Sequence, residues 1–192
     1  MGITQLEAET TALVLIDLQR GITGMESQPH TGAEVIANAA RLAERFRELG
    51  SPVFLVHVVT SPDGADRLHP DADEVMQMRE MPPGFSDIVP ELGPVPGDIV
   101  IDKRQWGAFF GTPLDLQLRR RGIRRIVLGG ISTNYGVEST ARDAYERSYD
   151  LVFAEDAMAA RSAADHEFAL TRIFPRIGRV ASTDEVLAAL GG

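Results

Sequence analysis

At 192 residues and 20.9 kDa, with 44% hydrophobic residues, the chain has the size and composition of one globular domain with a substantial core, which excludes disordered and collagen-like classes. A formal net charge of -9 and a pI of about 4.9 argue against nucleic acid and anionic membrane surfaces as partners. The cysteine count is zero, so a disulfide framework, a thiolate metal site and a thiol nucleophile are all excluded. There is no cationic-then-apolar leader and no apolar run long enough to span a bilayer, and a cytoplasmic location is expected.

The run TALVLID at 11–17 is almost continuously apolar and ends in a carboxylate, as a buried central strand would. Residues 21–28 read as a turn region. Residues 32–49 place Val35, Ile36, Ala39, Leu42, Ala43 and Phe46 at helical spacing, and Gly50 supplies the stop. PVFLVHVV at 52–59 is a second buried strand. Residues 60–97 are different: Pro62, Pro70, Pro82, Pro83, Pro90, Pro94 and Pro96 break them up, and Met76, Met78 and Met81 fall close together. Little regular structure is expected there beyond a turn of helix near 72–78. A connection of that length is usually a lid, a binding loop or a partner contact.

Residues 98–101 form a short strand that leads into Asp102-Lys103. A helix at 113–121 rests on Leu114, Leu116 and Leu118 and is ended by Gly122. Then come a strand at 125–128, a helix at 134–148, a fifth strand at 150–154, a helix at 163–173, a sixth strand at 178–181 and a closing helix at 184–190 capped by Ser182 or Thr183. In the helix at 134–148, Val137, Thr140, Ala141, Ala144 and Tyr145 fall on one face. This alternation predicts an α/β fold of three layers, α-β-α, with a six-stranded parallel sheet covered by helices on both faces. Neither an internal repeat nor an interdomain linker is visible, so residues 1–192 read as a single domain.

Three places could carry chemistry. Strand one ends at Asp17, strand three at Lys103, and strand four runs into the turn Ile131-Ser132-Thr133-Asn134-Tyr135-Gly136. All three would project from the carboxyl edge of one sheet, where the amides opening the following helix also point. An Asp or Lys at a strand end is often only a solvated or capping residue. Asp17, however, directly follows five apolar residues, where an idle carboxylate is costly to hold.

These residues carry a resemblance. Asp17-x-Gln19, then Lys103-x-x-Trp106-x-x-Phe109-x-Gly111-Thr112-x-Leu114-Asp115, then Gly129-Gly130-Ile131-x-Thr133-x-x-Gly136-Val137-x-x-Thr140-Ala141-x-x-Ala144 resemble the isochorismatase-like hydrolases, a superfamily that includes nicotinamidase and N-carbamoylsarcosine amidase. The stretch GISTNYGVESTAR is similar to a subgroup of uncharacterised isochorismatase-family hydrolases. In the amidase members the position of Gly136 holds the nucleophilic cysteine, and Asp17 and Lys103 match the other two members of that triad. Glycine here makes covalent acyl transfer impossible, and it is also what isochorismatases proper carry.

The resemblance implies hydrolysis of a vinyl ether with Asp17 as acid, protonating the terminal methylene before water attacks. Lys103 nearby would lower the Asp17 pKa by roughly 1–3 units, while burial can raise a carboxyl by up to about 3–5. If burial wins, Asp17 is an acid. If Lys103 wins, it is a base that activates water against an amide or ester. A catalytically silent ligand-binding or scaffold member is the third reading, although an unused buried charge pair offers little stability.

The resemblance further implies oxyanion-type donors at the amides of Ser132 and Gly136, and a cis peptide at Ile131–Ser132. Gln19, Ile22, Trp106, Phe109, Ile131, Ser132, Thr133 and Tyr135 are the candidate substrate-binding residues, with core packing an equal reading for Trp106. His57, in an apolar strand, reads as a hydrogen-bonded structural histidine. The nicotinamidase metal pattern of Asp-x-His with further histidines is missing from residues 61–69, so no metal is expected, and Gly129-Gly130 lacks the three spaced glycines of a dinucleotide turn, so no cofactor is expected. Asp156 reads as a cap for the segment that follows strand five. Isochorismatases proper carry further substrate-reading Gln and Arg residues after the second strand; Gln77 and Arg79 stand there, in surroundings that depart from that pattern. A small-molecule substrate and a homo-oligomer, dimer or tetramer, are the expected partners.

Overall fold

The computed structural model describes residues 3, 5–74 and 81–190. The expected helical turn near 72–78 therefore lies partly, and Met76, Met78, Gln77 and Arg79 wholly, outside the described residues. The elements are β1 (Thr11–Ile16), α1 (Arg20–Thr23), α2 (Gly32–Glu48), β2 (Val53–Val58), β3 (Ile99–Lys103), α3 (Leu114–Arg120), β4 (Arg125–Ile131), α4 (Glu138–Glu146), β5 (Asp150–Ala159), α5 (Ala163–Phe168), α6 (Phe174–Ile177), β6 (Arg179–Ala181) and α7 (Thr183–Ala189). Wide π-type turns at Thr133–Val137 and Ala169–Ile173 lead into α4 and α6.

All six strands are parallel, in the order β3-β2-β1-β4-β5-β6. The order reverses between β1 and β4, which makes their carboxyl ends the switch point of the sheet, the place where such folds bind ligands. β1 shows why its run has no polar break. Leu13 and Leu15 face one core with Val35, Leu42 and Phe46 of α2 and Val186 of α7. Ala12, Val14 and Ile16 face the other with Leu114, Leu118, Val137 and Ala141. Alternate residues enter opposite cores, so a strand buried on both faces must be apolar throughout.

Several boundaries differ from the sequence reading. Leu116 and Tyr145 are exposed, because the helical period of 3.6 puts Leu114 with Leu118, and Ala141 with Ala144, on the buried faces. β4 runs through Gly129-Gly130 to Ile131 rather than stopping at Leu128. Gly130 has φ +128, and a methyl group there would meet Ile16 O at 2.1 Å, so glycine lets β4 press against β1 where its register to β5 shifts. β5 extends to Ala159, and Asp156 lies within it. Rather than capping the stretch directly after the strand, its Oδ1 accepts from Thr183 N and Thr183 Oγ1, both at 2.7 Å, at the first residue of α7, and so fastens α7 to β5.

The proline-rich connection is anchored against the site end of β1. Residues 85–89 run beside 18–21 through Arg20 N to Asp87 O (2.9 Å), Gly21 N to Phe85 O (3.0 Å) and Val89 N to Leu18 O (3.1 Å). Further out, Arg104 Nε donates to Asp66 at 2.6 Å, and the hydrogen bonds of Asp66 to Ser61 N and Arg104 hold its carboxyl down at about 2. A methyl group at Gly21 would meet Phe85 Cδ2 at 2.0 Å. Gly21→Ala is therefore expected to push Phe85 off its seat and cost about 1–3 kcal/mol, the range for overpacking. Urea unfolding checks this: an unchanged midpoint would show that the loop does not rest on Gly21.

Candidate active site

Asp17 follows β1 with φ +55, a left-handed conformation that aspartate visits more readily than most residues. Lys103 closes β3, two strands away, and its stem crosses the end of β2 to bring Nζ to 2.7 Å from Asp17 Oδ2. Nζ also donates to Gln105 O at 3.0 Å. The pair is buried, Asp17 being 6% exposed and Lys103 2%. Asp17 Oδ1 is buried too and has no hydrogen-bond partner among the described residues. Burial pushes the Asp17 carboxyl above its ordinary value, against the downward pull of the Lys103 ammonium. Its Oδ1 is thus uncommitted among the described residues and free to meet a ligand.

The turn after β4 supplies the other wall. Ile131–Ser132 is a cis peptide, and Tyr135 N and Val137 N both donate to Ser132 O at 3.2 Å. A methyl group at Gly136 would lie 2.9 Å from Ile16 Cγ2, 3.0 Å from Asp17 Oδ2 and 3.5 Å from Trp106 O. The position of Gly136 thus abuts the carboxylate directly. Thr140 Oγ1 donates to Gly136 O (2.6 Å) and accepts from Ala108 N (3.1 Å), which ties α4 to the 104–112 segment. Across the rim, the rings of Trp106 and Tyr135 pack with centroids 4.8 Å apart. Trp106 is 58% exposed, so its core-packing reading is set aside.

Asp17, Lys103, Gly136, Trp106 and Tyr135 are therefore brought together, with half-buried Ser132 in the same turn. Others sit elsewhere than the sequence reading has them. Phe109, 4% exposed, is turned into the helix-side core beside Tyr149, so it is no pocket wall. Ile131 is core as well, and Ile22 packs on the edge of the other cluster. Gln19 is fully buried; its Nε2 donates to Val58 O and Phe85 O (3.1 Å each) and its Oε1 accepts from Val58 N (2.8 Å), so it clamps β1, β2 and the loop and has no donor left for a ligand. Thr133 Oγ1 is bonded to His166 Nδ1 at 2.8 Å. His57 is hydrogen-bonded to Ser86 O and Asp102, a structural role.

Two residues were missed. Asn134, inside the turn, carries a buried Oδ1 without a partner among the described residues. His166, in α5, has a buried Nε2 with no partner among the described residues, and burial with His30 nearby drops its pKa to about 4. Asn134 stood between motif positions, and His166 is a lone histidine on a helix that no spacing pattern marks. Two surface hollows, one lined by Arg41, Glu44 and Val95 and one by Glu9, Pro52 and Ile123, lie away from this site.

A doubly wound α/β sheet that joins a buried acid and an ammonium to a helix-opening turn at its switch point is a scaffold of the isochorismatase-like hydrolase class. The chain belongs to the isochorismatase family: the Isochorismatase domain matches residues 11–185. It is 52% identical over 186 residues to the uncharacterized isochorismatase family protein YecD of Escherichia coli O157:H7, covering 97% of this chain and 99% of that one. An isochorismatase family protein of Burkholderia thailandensis, 48% identical, superposes with a TM-score of 0.95 over 99% of this chain and 100% of the other. More distantly, the ureidoacrylate amidohydrolase RutB of Variovorax paradoxus is 34% identical over 176 residues, 79% of this chain and 69% of that protein. The protein is thus a hydrolase of a family whose members include amidohydrolases. Among the described residues no helix is long and apolar enough to cross a membrane.

Proposed function

We propose that the protein hydrolyses a small enol ether by direct attack of water, with Asp17 as general acid and no covalent intermediate. The observation that carries this is the buried Asp17 carboxyl beside a position with no side chain. Because Oδ2 accepts from Lys103, the proton belongs on Oδ1, the oxygen without a partner. Transfer of that proton to the terminal methylene of an enolpyruvyl group gives an oxocarbenium ion. Water adds to it, and the hemiketal collapses to an alcohol and pyruvate, returning a proton to Asp17. Lys103 would hold the substrate carboxylate and offset the aspartate charge that appears as the proton leaves. The exposed Trp106 and Tyr135 rings would form the rim against which the apolar part of the substrate rests, and a second subunit of a homo-oligomer would close it.

A second reading, water activated by Asp17 against a small amide, is favoured by the kinship with the amidohydrolase RutB. The pH profile separates the two. A group whose pKa is raised in the fold is protonated up to that raised value, so acid catalysis falls as pH climbs through it, whereas base catalysis rises there. Stability carries the same sign: the contribution of Asp17 is fully present below its ordinary 3.8 and is lost as pH rises through the folded value. We expect pyruvate release from an enol-ether panel with a descending alkaline limb. Ammonia release from an amide panel with an ascending limb would transfer the assignment to the second reading, and no turnover of either panel would overturn both in favour of a binding protein.

A further inference from the structure

We propose that His30, Glu155 and His166 form a site for one divalent transition-metal ion of the zinc type, joined to the active-site turn through Thr133. Each residue offers one ligand atom, and these atoms lie within 4.8 Å of one another. His30 Nε2 and Glu155 Oε2 are 3.8 Å apart, and the two imidazoles meet edge to face with centroids at 5.9 Å. Bonds of roughly 2.0–2.2 Å around a tetrahedral ion place ligand atoms about 3.3–3.6 Å apart, so separations of up to 4.8 Å must shorten by about 1.5 Å at most. His30 and Glu155 are half-buried and have room to make that movement.

The second observation is independent of the clustering. His166 is 2% exposed, its Nδ1 is held 2.8 Å from Thr133 Oγ1, and its Nε2 is buried without a hydrogen-bond partner among the described residues. A polar nitrogen left unpaired in the interior costs about 1–3 kcal/mol, and native structures rarely leave one so. Were the cluster only an ion pair between His30 and Glu155, this nitrogen would stay unsatisfied. If Nδ1–H donates to the threonine hydroxyl, Nε2 carries the lone pair, which is how a metal-binding histidine is oriented by its outer neighbour. Two imidazoles and one carboxylate form a donor set suited to zinc and its first-row neighbours. The half-exposed sides of His30 and Glu155 leave a position for water and a way in.

The elements that carry the ligands are fixed. Gln28 and Ala160 exchange backbone hydrogen bonds at 2.8 Å in both directions, which sets the chain leading to His30 beside the end of β5, the strand that bears Glu155. The expectation of no metal rested on residues 61–69. This cluster draws on positions 30, 155 and 166, which no spacing motif links.

The test is titration of chelator-stripped protein with zinc ion alone, by calorimetry, with metal content measured after desalting and the melting temperature recorded in parallel. One zinc per chain and a raised melting temperature are expected. Glu155→Gln and His30→Ala, both at half-exposed positions, should each weaken binding by at least about tenfold, and Thr133→Val by roughly 10–100-fold, the range for an outer partner. His166→Phe should abolish binding; if it fails to fold, the two half-exposed variants still decide the matter. No zinc uptake, or uptake unchanged in Glu155→Gln and His30→Ala, would overturn the site.

Discussion

Asp17→Asn is expected to cut turnover of whichever substrate the protein hydrolyses by about 10²–10⁴, the contribution of a positioned acid or base. The amide keeps the size of the side chain and still offers Lys103 an oxygen, but it has no proton to give at ordinary pH. Above the raised Asp17 pKa, where the carboxylate is the counter-charge of an ammonium that is 2% exposed, the same change leaves that ammonium unpaired. Breaking a buried pair in this way costs about 3–5 kcal/mol, so the melting temperature should fall as well, by roughly 2–4 °C for each kcal/mol in a chain of this size. Lost activity and lost stability would then be confounded. Asp17→Asn combined with Lys103→Met separates them, because removing both charges restores stability while activity stays absent. Full turnover in Asp17→Asn would end the assignment.

Lys103→Met alone tests the electrostatics. The ammonium, 2.7 Å away, is the largest influence opposing burial at Asp17. Without it the carboxyl pKa rises further, and the limb of the pH–rate profile set by Asp17 must move to higher pH. A limb that stays in place would mean that another group titrates in the rate.

The six strands could be read from the sequence because they are short, largely apolar runs, all but β2 leading on to a helix, and the Asp17–Lys103–Gly136 convergence followed from strand ends on one edge of a parallel sheet. What could not be read was side-chain direction. Phe109 reads as a pocket wall, yet it goes to the core while its neighbour Phe110 is exposed, which depends on the irregular path of residues 104–113. Gln19 suited a substrate contact in sequence, and only the tertiary packing shows its amide spent on Val58 and Phe85. The His30–Glu155–His166 cluster is invisible for a related reason: its members come from a loop, a strand and a helix far apart in the chain.

Gly136→Ala is expected to lower both stability and turnover, which is the opposite of what the backbone alone would give. The φ of Gly136 lies outside the left-handed region, and replacing such a glycine by alanine normally stabilises by about 0.4–1 kcal/mol through the unfolded chain. Here the new methyl would stand 2.9 Å from Ile16 Cγ2 and 3.0 Å from Asp17 Oδ2, both anchored by a buried strand and an ion pair. Overpacking of that kind costs about 1–3 kcal/mol, so crowding outweighs the entropic gain. Ile16 and the Asp17 carboxylate must each give by a few tenths of an ångström, and that misalignment of the acid should lower the rate by less than the about 10²-fold that a 1 Å misplacement can cost. Gly136→Cys adds a sulfur to the same crowding. It should therefore lose the water reaction without gaining a thiol amidase, and show no burst of acyl-enzyme on amide substrates. A burst in Gly136→Cys would reveal that the site still has amidase geometry, and Gly136→Ala with undiminished rate and melting temperature would show that Asp17 does not lean on this turn.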